Sequence, residues 1–177
     1  MILSEELSSI IPQRGIGLIC GGIGGGKSCL GYSIMENLHL VDPARRIFAY
    51  NFPLDKVHLL PDWMEVTRDE NFPEGAAVLA DEAYFGFYSK ESHNDANIFI
   101  DKFGGLARQK GIITIFVTQT LRKLSLAAVS SVQLMLVKMP DIMMVKLDRR
   151  EIRPLLQKAL REFRKLEPAD RLAAVYV

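Results

Sequence analysis

The residues best suited to chemistry lie in one stretch, Gly21-Gly22-Ile23-Gly24-Gly25-Gly26-Lys27-Ser28. It satisfies G-x-x-x-x-G-K-[ST] at every position, and the chemistry that pattern serves is polyphosphate binding. Glycines let successive backbone N–H groups converge on an oxyanion where a Cβ would collide. Where such a loop opens a helix, the positive end of the helix dipole adds to the attraction. Lys27 is then placed to span the β- and γ-phosphates of a nucleoside triphosphate, and the Ser28 hydroxyl to ligate Mg2+. Residues 21–29, ending on Cys29, are the expected cradle for ATP with Mg2+.

A second constellation begins where the apolar run 76–80 (AAVLA) ends on Asp81-Glu82. Behind a complete phosphate loop (Walker A), this is the pattern of a Walker B site. Asp81 would hold Mg2+, largely through water, and Glu82 would polarise an attacking water. An acidic pair after a strand is common by itself, so its meaning comes from the loop upstream. The second acid also discriminates, because many nucleotide kinases and small GTPases have no glutamate there. Gln119, closing the apolar run 112–118 (IITIFVT), is the third candidate: a polar strand tip that contacts the γ-phosphate or the water.

These residues need elements that carry them to one place. Short apolar runs alternate with helical periodicity, which predicts an α/β fold with a mainly parallel sheet. Strands are expected over 15–20, 46–50, 76–80, 112–118, 133–139 and 142–147, with a short one over 64–66. Helices are expected over 27–40, 95–109, 126–132 and 149–165, the last tolerating Pro154 in its first turns. In the helix over 95–109, Ala96, Phe99, Ile100, Phe103 and Ala107 share one face. Gly104 and Gly105 weaken it by roughly 1 kcal/mol each relative to alanine. The chain reads as a single domain over 1–177, with a core of about 15–147 and a C-terminal helix over 149–165.

The chain has 177 residues, 49% hydrophobic and 24% charged, enough apolar material for one core. A net charge of +1 excludes a global basic field, so any nucleic-acid contact must be local. Cys20 and Cys29 read as small buried hydrophobes of a reducing compartment, and neither they nor His39, His58 and His93 have zinc-site spacing. The acidic start argues against a secretory signal, and no apolar run approaches the ~20 residues of a membrane span. A soluble, cytoplasmic protein is expected.

The segment Arg108-Gln109-Lys110-Gly111, an apolar strand and then Thr118-Gln119 resembles the R-K-x-G, strand, T/S-Q pattern of the FtsK–HerA superfamily of DNA-pumping ATPases. That superfamily includes the packaging ATPases of internal-membrane and archaeal viruses. Zonular-occludens-toxin-like proteins, the assembly ATPases of filamentous phage, have a similar layout and also read Asp-Glu-Ala, as Asp81-Glu82-Ala83 does here. Two departures stand out: Gly25 replaces the usual serine, and neither large N-terminal modules nor a transmembrane segment is present. A bare core of this size resembles the viral packaging enzymes most.

The resemblance implies a RecA-like core that hydrolyses ATP within a homo-oligomeric ring such as a hexamer, its number left open. It further implies double-stranded DNA as cargo, capsid or membrane-associated viral proteins as partners, and the host cytoplasm or capsid vertex as the place of work. Lys27, Glu82 and Gln119 would be catalytic. Arg108 would be a finger supplied to a neighbour's γ-phosphate, with Arg122 as the alternative. The zonular-occludens-toxin-like role, extrusion of single-stranded phage DNA, is the first rival reading. A small-molecule P-loop kinase would need an arginine-rich lid that does not occur between Gln119 and Pro140, and Glu82 argues against a switch without turnover. The basic cluster Arg149, Arg150, Arg153, Arg161, Arg164 and Lys165 reads as a solvated helix face, diluted by Glu151 and Glu162.

Overall fold

The computed structural model describes residues 3–81, 92–119 and 121–177, with the side chains at 92–97, 99 and 123 left aside. Three of the expected apolar runs form strands buried along nearly their whole length: β1 (Gly15–Cys20), β4 (Ala77–Asp81) and β5 (Ile113–Val117). Such continuous runs belong to parallel strands covered on both faces. With β2 (Ile47–Tyr50), β3 (Met64–Thr67) and β6 (Leu134–Val137) they make, among the described residues, one six-stranded parallel sheet in the order β3-β2-β4-β5-β1-β6.

The helices lie on both faces. One face takes α1 (Glu5–Ile10) and α2 (Lys27–Val41), whose Leu7, Leu30, Ile34 and Leu38 pack with Ile19, Leu79 and Ile115 of the strands. The other takes α3 (Ser92–Lys110), α4 (Leu126–Ser130), α5 (Ile142–Leu147) and α6 (Arg153–Lys165). There Ile100, Phe103 and Ala107 pack with Ile16, Leu18, Val78 and Phe116, and Leu156 and Ala159 extend the same cluster. Of the apolar face expected on α3, the side chains of Ala96 and Phe99 lie outside the described residues.

The expected α/β, RecA-like architecture with a parallel sheet is therefore observed, and it has a geometric consequence. Parallel strands point their C-terminal ends to one edge, where ligands of such sheets bind. Strand β5 lies between β1 and β4, with Val117 in register with both Ile19 and Asp81. The C-terminal ends of all three strands thus lie side by side at that edge.

Three expectations need correction. Residues 142–147 form helix α5, not a strand: a six-residue apolar run is ambiguous by periodicity, and the Asp141 side chain decides it by accepting from Met144 N at 2.6 Å as a helix N-cap. The C-terminal helix begins at Arg153 rather than 149, because residues 149–152 form a turn in which Ile152 N donates to Arg149 O. Pro154 then falls in the first helical turn, where its missing N–H costs nothing. Cys29 is exposed, whereas Cys20 is buried as expected and burial pushes its thiol up to about 12. Helix α1, capped by Ser4, had no sequence-based expectation.

Candidate functional site

Strand β1 delivers the chain to Gly21, whose φ of 148° belongs to glycine alone; a Cβ there would come within 2.6 Å of the Lys138 carbonyl oxygen. The loop is thus pressed against the segment leaving β6, and Gly22 N donates to Met139 O at 3.0 Å. It closes on itself with Gly25 N donating to Gly22 O at 3.2 Å. Gly26 then caps α2 in the left-handed conformation, φ 79°, and turns the chain into the helix. The sequence pattern and the observed loop coincide residue for residue over 21–28.

Lys27 begins α2, buried, and its Nζ donates to the Gly22 carbonyl oxygen at 2.8 Å, so the ammonium is folded over the loop. Ser28 Oγ donates to Asp81 Oδ2 at 2.5 Å. That contact depends on how closely α2 approaches the sheet. A Cβ at Gly31 would come within 2.8 Å of Leu79 Cδ1, so the helix lies nearer β4 than a larger residue would permit. A hydroxyl and a carboxylate, both hard oxygen donors, fit Mg2+, which takes one or two protein ligands and completes its shell with water and phosphate oxygens.

Gln119 follows β5, exposed beside the same edge, while Thr118 N donates to Ile19 O at 2.9 Å and fixes the strand end against β1. Glu82 lies outside the described residues, although its neighbour Asp81 ends β4 at the site. The two candidate fingers fall at opposite edges. Arg122, in the 3-10 turn Leu121–Lys123, is near the loop edge, and its carbonyl oxygen accepts from Arg149 Nη2 at 3.2 Å. Arg108, exposed in the last turn of α3, lines a crevice of about 350 Å³ with Arg14, Gly15, Gly104 and Gln133 at the start of β1. A six-residue β1 spans about 20 Å, and that length separates Arg108 from its own phosphate loop.

The basic cluster is partly engaged: Arg153 Nε donates to Asp148 O at 2.9 Å, and Lys165 Nζ to Glu162 Oε2 at 2.7 Å. A separate apolar cavity of about 490 Å³ runs along the flank of α2, from Cys29 and Tyr32 to Leu60 and Trp63. It touches the phosphate loop only through Cys29.

Two residues at this edge escaped sequence reasoning. Asp148, buried, accepts from Leu121 N at 3.3 Å and from Arg149 N at 2.8 Å, tethering the turn that follows Gln119. Lys138, also buried, donates through Nζ to the carbonyl oxygens of Leu172 and Ala174, each at 2.6 Å, and burial draws its ammonium below the ordinary lysine range. Neither belongs to a motif. The available signal was a lysine closing an apolar strand and an aspartate opening a basic run.

No protein-family model matches the chain, and no curated protein matches it significantly in sequence. Solved structures do match. The DNA-packaging ATPase B204 of Sulfolobus turreted icosahedral virus aligns with a TM-score of 0.51 at 18% identity, covering 89% of each chain. The genome-packaging NTPase B204 of Sulfolobus turreted icosahedral virus 2, in complex with AMP, gives 0.57 at 14% identity over 94% of this chain and 98% of that one. The same NTPase with AMPPCP gives 0.56 at 16% identity over 88% and 89%. At these identities the likeness is one of fold, and the fold is that of a P-loop NTPase. The resemblance to viral packaging ATPases drawn from three short motifs thus recurs in the structural neighbours.

Proposed function

We propose that this chain is a Mg2+-dependent ATPase of the FtsK–HerA type that works in a homo-oligomeric ring, moving double-stranded DNA into a viral capsid. The observation that carries the ATPase reading is the Ser28–Asp81 hydrogen bond, which joins the glycine loop to the end of β4 across the tip of β5. The DNA-packaging part is supported by the fold-level likeness to packaging NTPases of similar extent. Residues 1–177 act as one ATPase domain in this reading, working in the host cytoplasm or at a capsid vertex. Among the described residues no helix is long and apolar enough to cross a membrane.

In this mechanism the backbone N–H groups of residues 21–29 hold the triphosphate and Lys27 spans its β- and γ-phosphates. Ser28 and Asp81 would hold Mg2+, which would supply neutralising positive charge to the phosphates. Glu82 accepts a proton from a water oriented by Gln119. The water oxygen bonds to the γ-phosphorus as the bond to the β–γ bridging oxygen breaks, leaving ADP and phosphate. Arg108 of the neighbouring subunit stabilises the charge that spreads over the transferring group. The test is the ATPase rate with and without double-stranded DNA, alongside the mass in solution. DNA-stimulated turnover by a ring supports the proposal, and full turnover by Lys27→Ala would sink the ATPase reading.

A further inference from the structure

A buried lysine is costly unless an anion or a full set of acceptors meets it. Lys138 is 2% exposed, and its side chain runs beneath the phosphate loop. Its carbonyl oxygen and Cβ lie 2.6 and 2.9 Å from where a Cβ on Gly21 would sit, and its Nζ is 4.0 Å from the corresponding point on Gly26. Its backbone is pinned by Lys138 N donating to Cys20 O at 2.8 Å. Among the described residues its ammonium meets carbonyl oxygens, those of Leu172 and Ala174, and no carboxylate. An ammonium carries three donors, and two are used. A cation has been buried beside an anion-binding loop, hydrogen-bonded to two carbonyl dipoles and favoured further by the Cys29 thiol group at the end of that loop.

The acceptors come from residues 166–177, which cross to the loop after α6. A 3-10 turn, Asp170–Leu172, aims the Leu172 carbonyl at the lysine and brings it to 3.6 Å from the Cβ point of Gly26. The segment is then fastened to β6 by a reciprocal pair, Val137 N to Tyr176 O at 2.8 Å and Tyr176 N to Val137 O at 2.9 Å. Removing this strap would take away both acceptors and expose the lysine to water.

We infer that Lys138 is a second lysine of the phosphate site, acting on bound polyphosphate through its charge from beneath the loop, and that the strap 166–177 holds it there. The inference rests on the nucleotide reading of the loop. Lys138 is a positioning and electrostatic residue, distinct from Lys27, whose Nζ donates to the Gly22 carbonyl oxygen. Nucleotide binding and strap docking are then linked: a docked strap strengthens polyphosphate binding, and bound polyphosphate stabilises the docked strap by the same factor.

The experiment is calorimetric titration of the full chain, its Lys138→Met variant and a chain lacking residues 170–177 with ATP, ADP and AMP. Both variants should lose ATP affinity on the order of tenfold, which one charge contributes to another about 10 Å away at an effective dielectric near 20. The loss should shrink from ATP to ADP to AMP, because the effect scales with phosphate charge. An equal loss for all three nucleotides would mark a merely structural lysine and overturn the inference, as would no loss. Failure of the unaltered chain to bind ATP would instead remove the nucleotide reading itself. Hydrogen exchange on the unaltered chain gives a check that needs no variant. ATP should slow exchange at the amides of Ala174 and Tyr176 more than AMP does, and exchange indifferent to ATP would also overturn the inference.

Discussion

Ser28 Oγ donates to Asp81 Oδ2 at 2.5 Å, yet the strands that lead to these residues, β1 and β4, are not paired with each other. Strand β5 lies between them, so the helix that opens at Lys27 must lean across the sheet to bring Ser28 over β4. The absence of a side chain at Gly31, against Leu79 and Val117, permits that lean. Two motifs separated in sequence are thereby joined by one hydrogen bond between two hard oxygen donors.

The relationship separates the two acids of the pair. Asp81→Asn should abolish the Mg2+-dependent gain in ATP affinity while leaving Mg2+-free nucleotide binding nearly intact, since the glycine loop is untouched. Glu82→Gln should keep the Mg2+-dependent affinity and lose about two to four decades of turnover, the usual worth of a general base. Titration with and without Mg2+, paired with a turnover assay, checks both. A Glu82→Gln enzyme with unaltered turnover would assign the proton to another group.

Glycine substitutions should divide by geometry rather than by motif membership. Gly21→Ala puts a Cβ 2.6 Å from the Lys138 carbonyl at φ 148°. It should cost about 1–3 kcal/mol of stability and displace the loop, losing ATP binding with it. Gly105→Ala, inside α3 with nothing within 4 Å of the new Cβ, should raise stability by roughly 0.5–1 kcal/mol. Denaturant melts of the two variants are the measurement, and the signs should be opposite.

The two thiols should differ as sharply. Cys29 is exposed at the end of the phosphate loop, whereas burial raises Cys20 to about 12, so at pH 8 almost none of Cys20 is thiolate. Native alkylation should stop at one thiol per chain, and ATP should slow it, since the nucleotide would cover Cys29. Modification of both thiols at equal rates in the native chain would contradict this geometry.

The site was legible in the sequence where chemistry dictates residue type. A loop of backbone donors needs glycines at set positions, so residues 21–28 declared themselves, and Asp81 did so by ending a buried run. The sheet was legible because strands covered on both faces are continuous apolar runs. What escaped was carried by backbone or by context. Lys138 is met by two carbonyls 34 and 36 residues away, and a carbonyl acceptor leaves no mark on residue identity. The run 142–147 carries no period long enough to separate strand from helix, and only the side-chain bond from Asp141 settles it. The exposure of Cys29 depends on which face α2 turns to solvent in its first turn, which composition does not encode.

The most discriminating prediction concerns Arg108. Its side chain is exposed at the start of β1, among Arg14, Gly15 and Gln133, while the phosphate loop leaves the other end of that strand. At ~3.3 Å per residue, the separation exceeds the reach of an arginine side chain by more than twofold. Arg108 therefore cannot complete its own site. A head-to-tail arrangement, which a heterologous interface allows, would bring this end of one subunit to the loop edge of the next. A finger so supplied contributes on the order of 10³–10⁵ in rate, so an isolated subunit should bind ATP and turn it over poorly. Lys27→Ala subunits and Arg108→Ala subunits should each be inactive alone. Mixed, some interfaces join an intact loop to an intact arginine, and activity should return in proportion to the fraction of such interfaces. If rings mix, as read by exchange of labelled subunits, and activity does not return, Arg108 is not the finger. Arg122, at the loop edge beside Gln119, then becomes the residue to test. A monomer with full activity would remove the ring altogether.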